Sequence, residues 1–143
     1  MSTPQFREHM QDRTIDLRWV NNSTDKTIGN FLFRRNLKYS YHRTLKRDGT
    51  DSYTPPFVAY TANNEKIIIE LEDSSNNSAK DAFLRSDYSA EFKRISLGND
   101  QITSRESLVN ALEKEFDALN IKLTPLSRDE LWEKLRETRI NDF

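Results

Sequence analysis

The sequence contains no cysteine among its 143 residues, and it has only three glycines and four prolines. Without cysteine, the chain can form neither a disulfide framework nor a thiolate metal site, and it lacks a thiol nucleophile. The glycines, at positions 29, 49 and 98, are too far apart for a glycine-rich phosphate loop. Several common catalytic and cofactor sites are therefore excluded.

Long apolar runs are also absent from the sequence. No stretch reaches the roughly 18 apolar residues that a membrane-spanning helix needs. The first residues, MSTPQFREHMQDR, lack the apolar core of a secretory signal. We therefore expect a soluble protein of the cytoplasm, or of a host cytoplasm or virion, with no membrane partner.

Histidine is scarce as well, since only His9 and His42 occur. They lie far apart, and neither has a carboxylate at metal-ligand spacing, so the sequence predicts no metal site. No serine nucleophile elbow is present either. These absences favour a protein that is not an enzyme and that needs no cofactor.

Charge is unevenly distributed along the chain, although the net charge is only −1. Residues 1–50 hold ten Lys and Arg against five Asp and Glu, and the segment from Lys26 to Arg47 has no acidic residue. Because cations interleaved with aromatic rings can neutralise phosphates and stack on bases, this segment is a candidate nucleic-acid surface. The candidate residues are Arg34, Arg35, Lys38, Tyr39, Tyr41, Arg43, Lys46 and Arg47.

The alternation of this segment allows a second interpretation of its tyrosines. Tyr39 and Tyr41 share one strand face with Leu37 and Leu45, and apolar faces are usually buried. In that case the tyrosines pack beneath helices, and the opposite face forms a bare basic surface. Which face the helices cover stays open at the level of the sequence.

The first half of the chain has the two-residue periodicity of strands. We predict strands over Thr14–Val20, Thr27–Arg34, Leu37–Leu45, Ser52–Thr61 and Lys66–Glu72. Pro55 and Pro56 cannot donate to a ladder, so the fourth is an edge strand or begins only at Phe57. Residues 27–39 could instead form a helix. In the last strand, Glu70 and Glu72 are expected on the solvent face.

The second half changes to helical spacing. Residues 78–97 predict one amphipathic helix or two short ones. Capping boxes at Thr103–Glu106 and Ser127–Glu130 each begin a further helix. The fold class is thus α+β: an N-terminal antiparallel meander of four to five strands covered by about three C-terminal helices. Residues 1–13 form an arm or short helix, and 14–143 form a single domain, with the sheet in 14–73 and the helices in 78–139.

The last helix carries apolar residues that a partner could cover. The candidate partner-binding residues are Leu131, Trp132, Leu135, Ile140 and Phe143. The sequence therefore favours a non-enzymatic structural or interaction protein, a subunit or adaptor of a larger assembly such as a viral one, with a protein partner or its own copies bound. The alternative is a nucleic-acid-binding accessory protein that uses the hairpin 31–47. A remote alternative is a metal-dependent nuclease at Glu70 and Glu72.

Overall fold

The computed structural model describes residues 12–16, 18–47, 52–72 and 78–141. Within these ranges the chain forms a four-stranded sheet with helices on both faces, which confirms the α+β class. The arm predicted for residues 1–13 lies outside the described ranges except for its last two residues.

The sheet has four strands, which lie side by side in the order in which they follow along the chain. These strands are β3 (Lys38–Tyr41), β4 (Phe57–Tyr60), β5 (Lys66–Leu71) and β6 (Phe92–Leu97). The first three are antiparallel neighbours, whereas β6 runs parallel to β5. β4 begins at Phe57, directly after the two prolines, and β5 coincides with the predicted strand.

The strand predicted over Thr27–Arg34 is wrong, because this stretch belongs to helix α1 (Ser23–Arg34). The alternative of a helix over residues 27–39 is closer to the structure, although the observed helix begins at Ser23 and ends at Arg34. The Asn22 side chain caps it by accepting from the Asp25 N–H at 2.8 Å. Ile28, Phe31 and Leu32 also fit helical spacing, and burying that face selects the helix.

The predicted helix over residues 78–97 is only partly correct. Helix α2 (Ser78–Arg85) is followed by a 3₁₀ turn (Asp87–Glu91), and β6 takes the remainder. The sheet is therefore not a simple meander, since the crossover through α2 brings β6 parallel to β5.

The strand predicted over Thr14–Val20 is only partly correct, because only its last two residues are extended and paired. Two short strands, β1 (Asp12–Arg13) and β2 (Trp19–Val20), pair with each other instead. The turn between them is held by Thr14, whose hydroxyl accepts from the Arg18 N–H at 3.0 Å. Local hydrogen bonds of this kind compete with extended pairing.

Helix α3 (Arg105–Ala118) packs with α1 on one face of the sheet and forms the main core. Its apolar residues Leu108, Leu112 and Phe116 are buried, whereas Leu119, directly after the helix, is half-buried. Phe116 stacks on Phe31 of α1 at 6.0 Å between ring centroids. Its cap is Ser104, which exchanges hydrogen bonds with Ser107. The predicted box was thus one residue out of register.

A smaller cluster covers the opposite face of the sheet. Its buried members are Leu45, Tyr53, Val58, Ile68 and Phe83. The last helix, α4 (Arg128–Asn141), follows a connection whose Leu126 N–H donates to the Arg34 carbonyl at 2.8 Å. In the described ranges, no helix has both the length and the apolar composition needed to cross a bilayer.

Candidate functional site

The eight residues predicted to bind nucleic acid do not form one surface, because the segment that carries them is part helix and part strand. Arg34 and Arg35, at the end of α1, line a cleft between α1 and α3. Lys38 and Arg43 line a different groove at the outer edge of β3. The basic segment is therefore divided between two places.

Tyr39 and Tyr41 both point towards the main core. Tyr39 is 5% exposed, and its hydroxyl donates to the Asp16 carboxylate at 2.9 Å. Burial, with the charge of Asp16 beside it, raises the pKa of Tyr39, so the hydroxyl is a donor at neutral pH. The Tyr41 ring is half-buried against Phe57, and its hydroxyl donates to Asp25 at 2.6 Å. Tyr39 thus has no open face for base stacking.

The groove at the outer edge of β3 has a volume of about 550 Å³. Its lining combines four cations, Arg18, Lys38, Arg43 and Lys134, with a single carboxylate, Asp16. Asp16 is paired with Arg18, whose Nε lies 3.3 Å from the carboxylate. We call these residues the β3-edge groove. Because its cations outnumber its acid, the groove favours an anionic ligand.

Lys134 joins this groove from α4. Its ammonium donates to the Asn36 side chain at 2.6 Å and lies 5.0 Å from the centre of the Phe33 ring. Burial lowers the pKa of Lys134; the charge of Asp16 opposes this shift and that of Lys38 adds to it. Lys134 therefore both anchors α4 and contributes charge to the β3-edge groove.

The second cleft lies between α1 and α3 and has a volume of about 330 Å³. Its charged lining residues are Lys26, Arg34, Arg35 and Arg105. Arg35 is already engaged, because it forms an ion pair with Glu113 at 2.6 Å and lies 3.9 Å from the centre of the Phe31 ring. We call this the α1/α3 cleft.

The last two predicted cations lie beyond β3. Lys46 is exposed, and Arg47 forms an ion pair with Glu91 and lies 5.4 Å from the centre of the Tyr88 ring. Neither side chain lines the β3-edge groove or the α1/α3 cleft. The structure therefore does not bring them together with the other candidates.

Glu70 is not on a solvent face, as the sequence predicted, but is 2% exposed. It accepts hydrogen bonds from Tyr53, from Arg94 with Nε at 3.0 Å, and from Ser96 at 3.2 Å. The Lys80 ammonium lies 2.9 Å away. Burial alone would raise the pKa of Glu70, but the hydrogen bonds from Tyr53, Lys80 and Arg94 outweigh it and hold the pKa below its usual 4.5.

This environment bears on the nuclease alternative. Metal-assisted phosphodiester cleavage uses carboxylates that converge on a metal ion, whereas Glu70 faces two cations. Glu72, the other carboxylate of that hypothesis, is exposed. The part of the chain that the structure describes holds no group of three or more side chains placed to bind a metal.

Trp132 on α4 is 57% exposed, the only large apolar side chain so exposed in the described ranges. Leu131 and Leu135 are half-buried, and no side chain between residues 128 and 137 is fully buried. The side chain of Ile140 and the whole of Phe143 lie outside what the structure describes. The described part of the predicted partner-binding set is therefore accessible.

The start of α4 is defined by a capping interaction. Ser127 and Glu130 exchange hydrogen bonds at 3.1 and 3.2 Å and form the predicted capping box. This contact lowers the pKa of Glu130. The helix is thus held at its first turn and through Lys134.

Four of the cations that line the β3-edge groove or the α1/α3 cleft were not predicted from the sequence. Lys26 lies within the acid-free segment and could have been included on that signal. Arg18, Arg105 and Lys134 come from a turn, a helix start and the last helix. No local pattern links them to Lys38 or Arg34, so only the fold could reveal them.

Comparisons with models of protein families, with curated proteins and with solved structures found no match to this chain. The functional proposals therefore depend on the geometry of α4, the β3-edge groove and the α1/α3 cleft.

Proposed function

We propose that this protein is a non-enzymatic interaction protein, a subunit or adaptor of a larger assembly, that binds a protein partner through α4. The supporting observation is the exposure of Trp132 on a helix whose side chains between residues 128 and 137 are not fully buried. A helix of this length, 14 residues, is marginal in water unless it packs an apolar face. A partner that covers this face would supply the missing packing.

The chemistry of α4 indicates the kind of partner. Two half-buried leucines lie near Trp132 in the sequence, Leu131 directly before it and Leu135 three residues after it. Charged residues fill most of the remaining positions of the helix. Helices of this type dock their apolar residues into a groove on a folded partner, and tryptophan is among the residues that dominate such interfaces. We therefore infer an apolar groove with a polar rim as the binding partner's surface.

The test begins with a photo-crosslinking residue in place of the exposed Arg136, which leaves Trp132 intact and identifies the bound protein. Affinity for that purified partner is then measured for the parent protein and for Trp132→Ser. Loss of an interface tryptophan typically costs about 2 kcal/mol or more, or roughly 30-fold in affinity. Glu133→Gln, an exposed change on the same helix, is the matched control and should bind normally.

Equal affinity of Trp132→Ser and the parent protein would overturn the proposal. Circular dichroism must show that the variant keeps its helix content, which we expect because the side chain is exposed. The molar mass in solution separates two kinds of partner. A parent oligomer that Trp132→Ser converts to monomer would identify the partner as a second copy of the chain.

The β3-edge groove favours a second candidate function, binding of single-stranded nucleic acid. Its lining holds four cations and one carboxylate, Asp16, which is paired with one of the four, Arg18. Phosphate contacts supply most non-specific affinity for nucleic acid. Because Tyr39 is buried, the proposal rests on the cations and not on stacking.

For single strands, each lost phosphate contact lowers the slope of log affinity against log salt by about 0.7. Lys38→Gln with Arg43→Gln should therefore lower the slope by about 1.4. The control pair is Lys114→Gln with Lys122→Gln, two exposed lysines that line neither site. Equal slopes for the two pairs would refute binding in this groove.

A further inference from the structure

The α1/α3 cleft has a lining that neither proposed function uses. Its cations are Lys26 and Arg34 from α1 and Arg105 from α3, together with Arg35. None of the residues that line it is acidic. The remaining polar groups are the hydroxyls of Ser23 and Thr27 and the amide of Asn30.

Three of the four cations have no ion-pair partner among the residues that the structure describes. Arg35 is paired with Glu113, whereas Lys26, Arg34 and Arg105 form no ion pair with any residue that the structure describes. Three positive charges around one cleft repel each other, and a bound anion would relieve that repulsion. Most cations on a protein surface are isolated from one another and solvated by water. Lys26, Arg34 and Arg105 instead line the same concave site.

Two of these cations also occupy unfavourable positions in their helices. Lys26 lies at the end of the first turn of α1, and Arg105 is the first residue of α3. Positive charge near a helix N-terminus opposes the helix dipole and costs stability. The two helices start side by side, since Ser23, Thr24, Ser104 and Arg105 line one small pocket. The positive ends of both helix dipoles therefore lie near Lys26 and Arg105, whereas Arg34 lies in the last turn of α1.

The donors suit a phosphate group in particular. Guanidinium groups bind phosphate through paired N–H donors, and Arg34 and Arg105 supply two such groups from opposite walls. The Asn30 side-chain oxygen accepts from the Ile15 N–H at 2.8 Å, which leaves its NH₂ group as a further donor. The volume of about 330 Å³ falls in the range of small-ligand sites.

We propose that the α1/α3 cleft binds a phosphate group of an anionic ligand, with Arg34, Arg105 and Lys26 as the contacting cations. That phosphate can come from a small phosphate ester or diphosphate, or from a nucleic-acid backbone. Arg35 acts as a positioning residue, because its pairing with Glu113 holds α1 against α3.

The experiment measures binding of inorganic pyrophosphate to the full chain by titration calorimetry at constant ionic strength. A parallel titration uses a short labelled single-stranded oligonucleotide. Arg34→Gln and Arg105→Gln should each weaken binding about tenfold, since each removes charged hydrogen bonds to phosphate. Lys114→Gln, an exposed change on the same helix as Arg105 but outside the cleft, should leave the affinity unchanged.

Loss of pyrophosphate affinity in the cleft variants, but not in the control, would support the proposal and identify a small ligand. The same loss for the oligonucleotide alone would support it with a nucleic-acid backbone as the source. Absence of binding in both titrations, or binding that the cleft variants do not change, would overturn it. These variants leave the α4 face and the β3-edge groove intact, so the result is independent of the proposed function.

Discussion

The buried carboxylate of Glu70 offers the sharpest test of how this fold is stabilised. Glu70→Gln keeps the size of the side chain but removes its charge. The parent carboxylate accepts from Tyr53, Arg94 and Ser96, and its partner Lys80 lies on α2. The substitution thus weakens the polar contacts that join β5 to β6, to α2 and to the segment around Tyr53.

The stability that Glu70→Gln should lose depends on how deeply the carboxylate and its two cationic partners are buried. Glu70 is 2% exposed, while the side chains of Lys80 and Arg94 are 21% and 38% exposed. Breaking a buried ion pair by removing one partner costs about 3–5 kcal/mol. Because both cations keep some contact with water, we expect the lower end, about 3 kcal/mol, a large part of the stability of an ordinary domain.

Urea unfolding at neutral pH measures this loss directly. Glu72→Gln, the same chemical change at an exposed position two residues away, is the matched control and should change stability by less than about 0.5 kcal/mol. Equal loss in the two variants would refute the reasoning, since it would mean that the buried network contributes nothing beyond an ordinary surface charge.

The pH dependence gives a second readout of the same carboxylate. The folded-state pKa of Glu70 lies below its usual 4.5, so its contribution is fully present above that value and is lost as pH falls through the folded-state pKa. The stability difference between the parent protein and Glu70→Gln should therefore be constant at neutral pH and shrink in acid. A difference that grows in acid would contradict this assignment.

Three further predictions follow from α1. Gly29→Ala should destabilise the protein despite better helix propensity, because the new methyl would lie 2.9 Å from Thr14 and 3.0 Å from the Tyr39 hydroxyl; equal or higher thermal stability would disprove this close packing. Asn22→Ala should cost about 1 kcal/mol in urea unfolding through loss of the cap, and Asn22→Asp should restore most of it. Burial raises the pKa of Asp25 above its usual 3.8, so stability should fall as pH rises through the shifted pKa, a loss that Asp25→Asn should remove.

Several parts of the fold could be predicted from local sequence. The isoleucine-rich run at Lys66–Leu71, the two prolines before Phe57 and the capping box at Ser127 each encode their structure within a few residues. The apolar spacing of α3 likewise matches its buried stripe. In each case the pattern fits only one regular structure, so no distant contact was needed to decide it.

Where an apolar pattern fits both a helix and a strand, tertiary contacts decide which of the two forms. Ile28, Phe31 and Leu32 suit a helix as well as a strand. The contact of Phe31 with Phe116 of α3 selects the helix. The predicted helix over residues 92–97 is wrong, because their apolar spacing fits a helix and a strand alike. These residues form strand β6, because pairing with β5 satisfies their backbone hydrogen bonds.

The candidate sites depended even more on tertiary structure. The sequence alone determined that one segment concentrates positive charge and that the last helix carries Trp132. The turn between α1 and β3 then separated Arg34 from Lys38, and distant elements contributed Arg18, Arg105 and Lys134. Charge and composition are properties of the chain, whereas the grouping of charges in a cleft and the burial of Glu70 arise only when remote segments pack together.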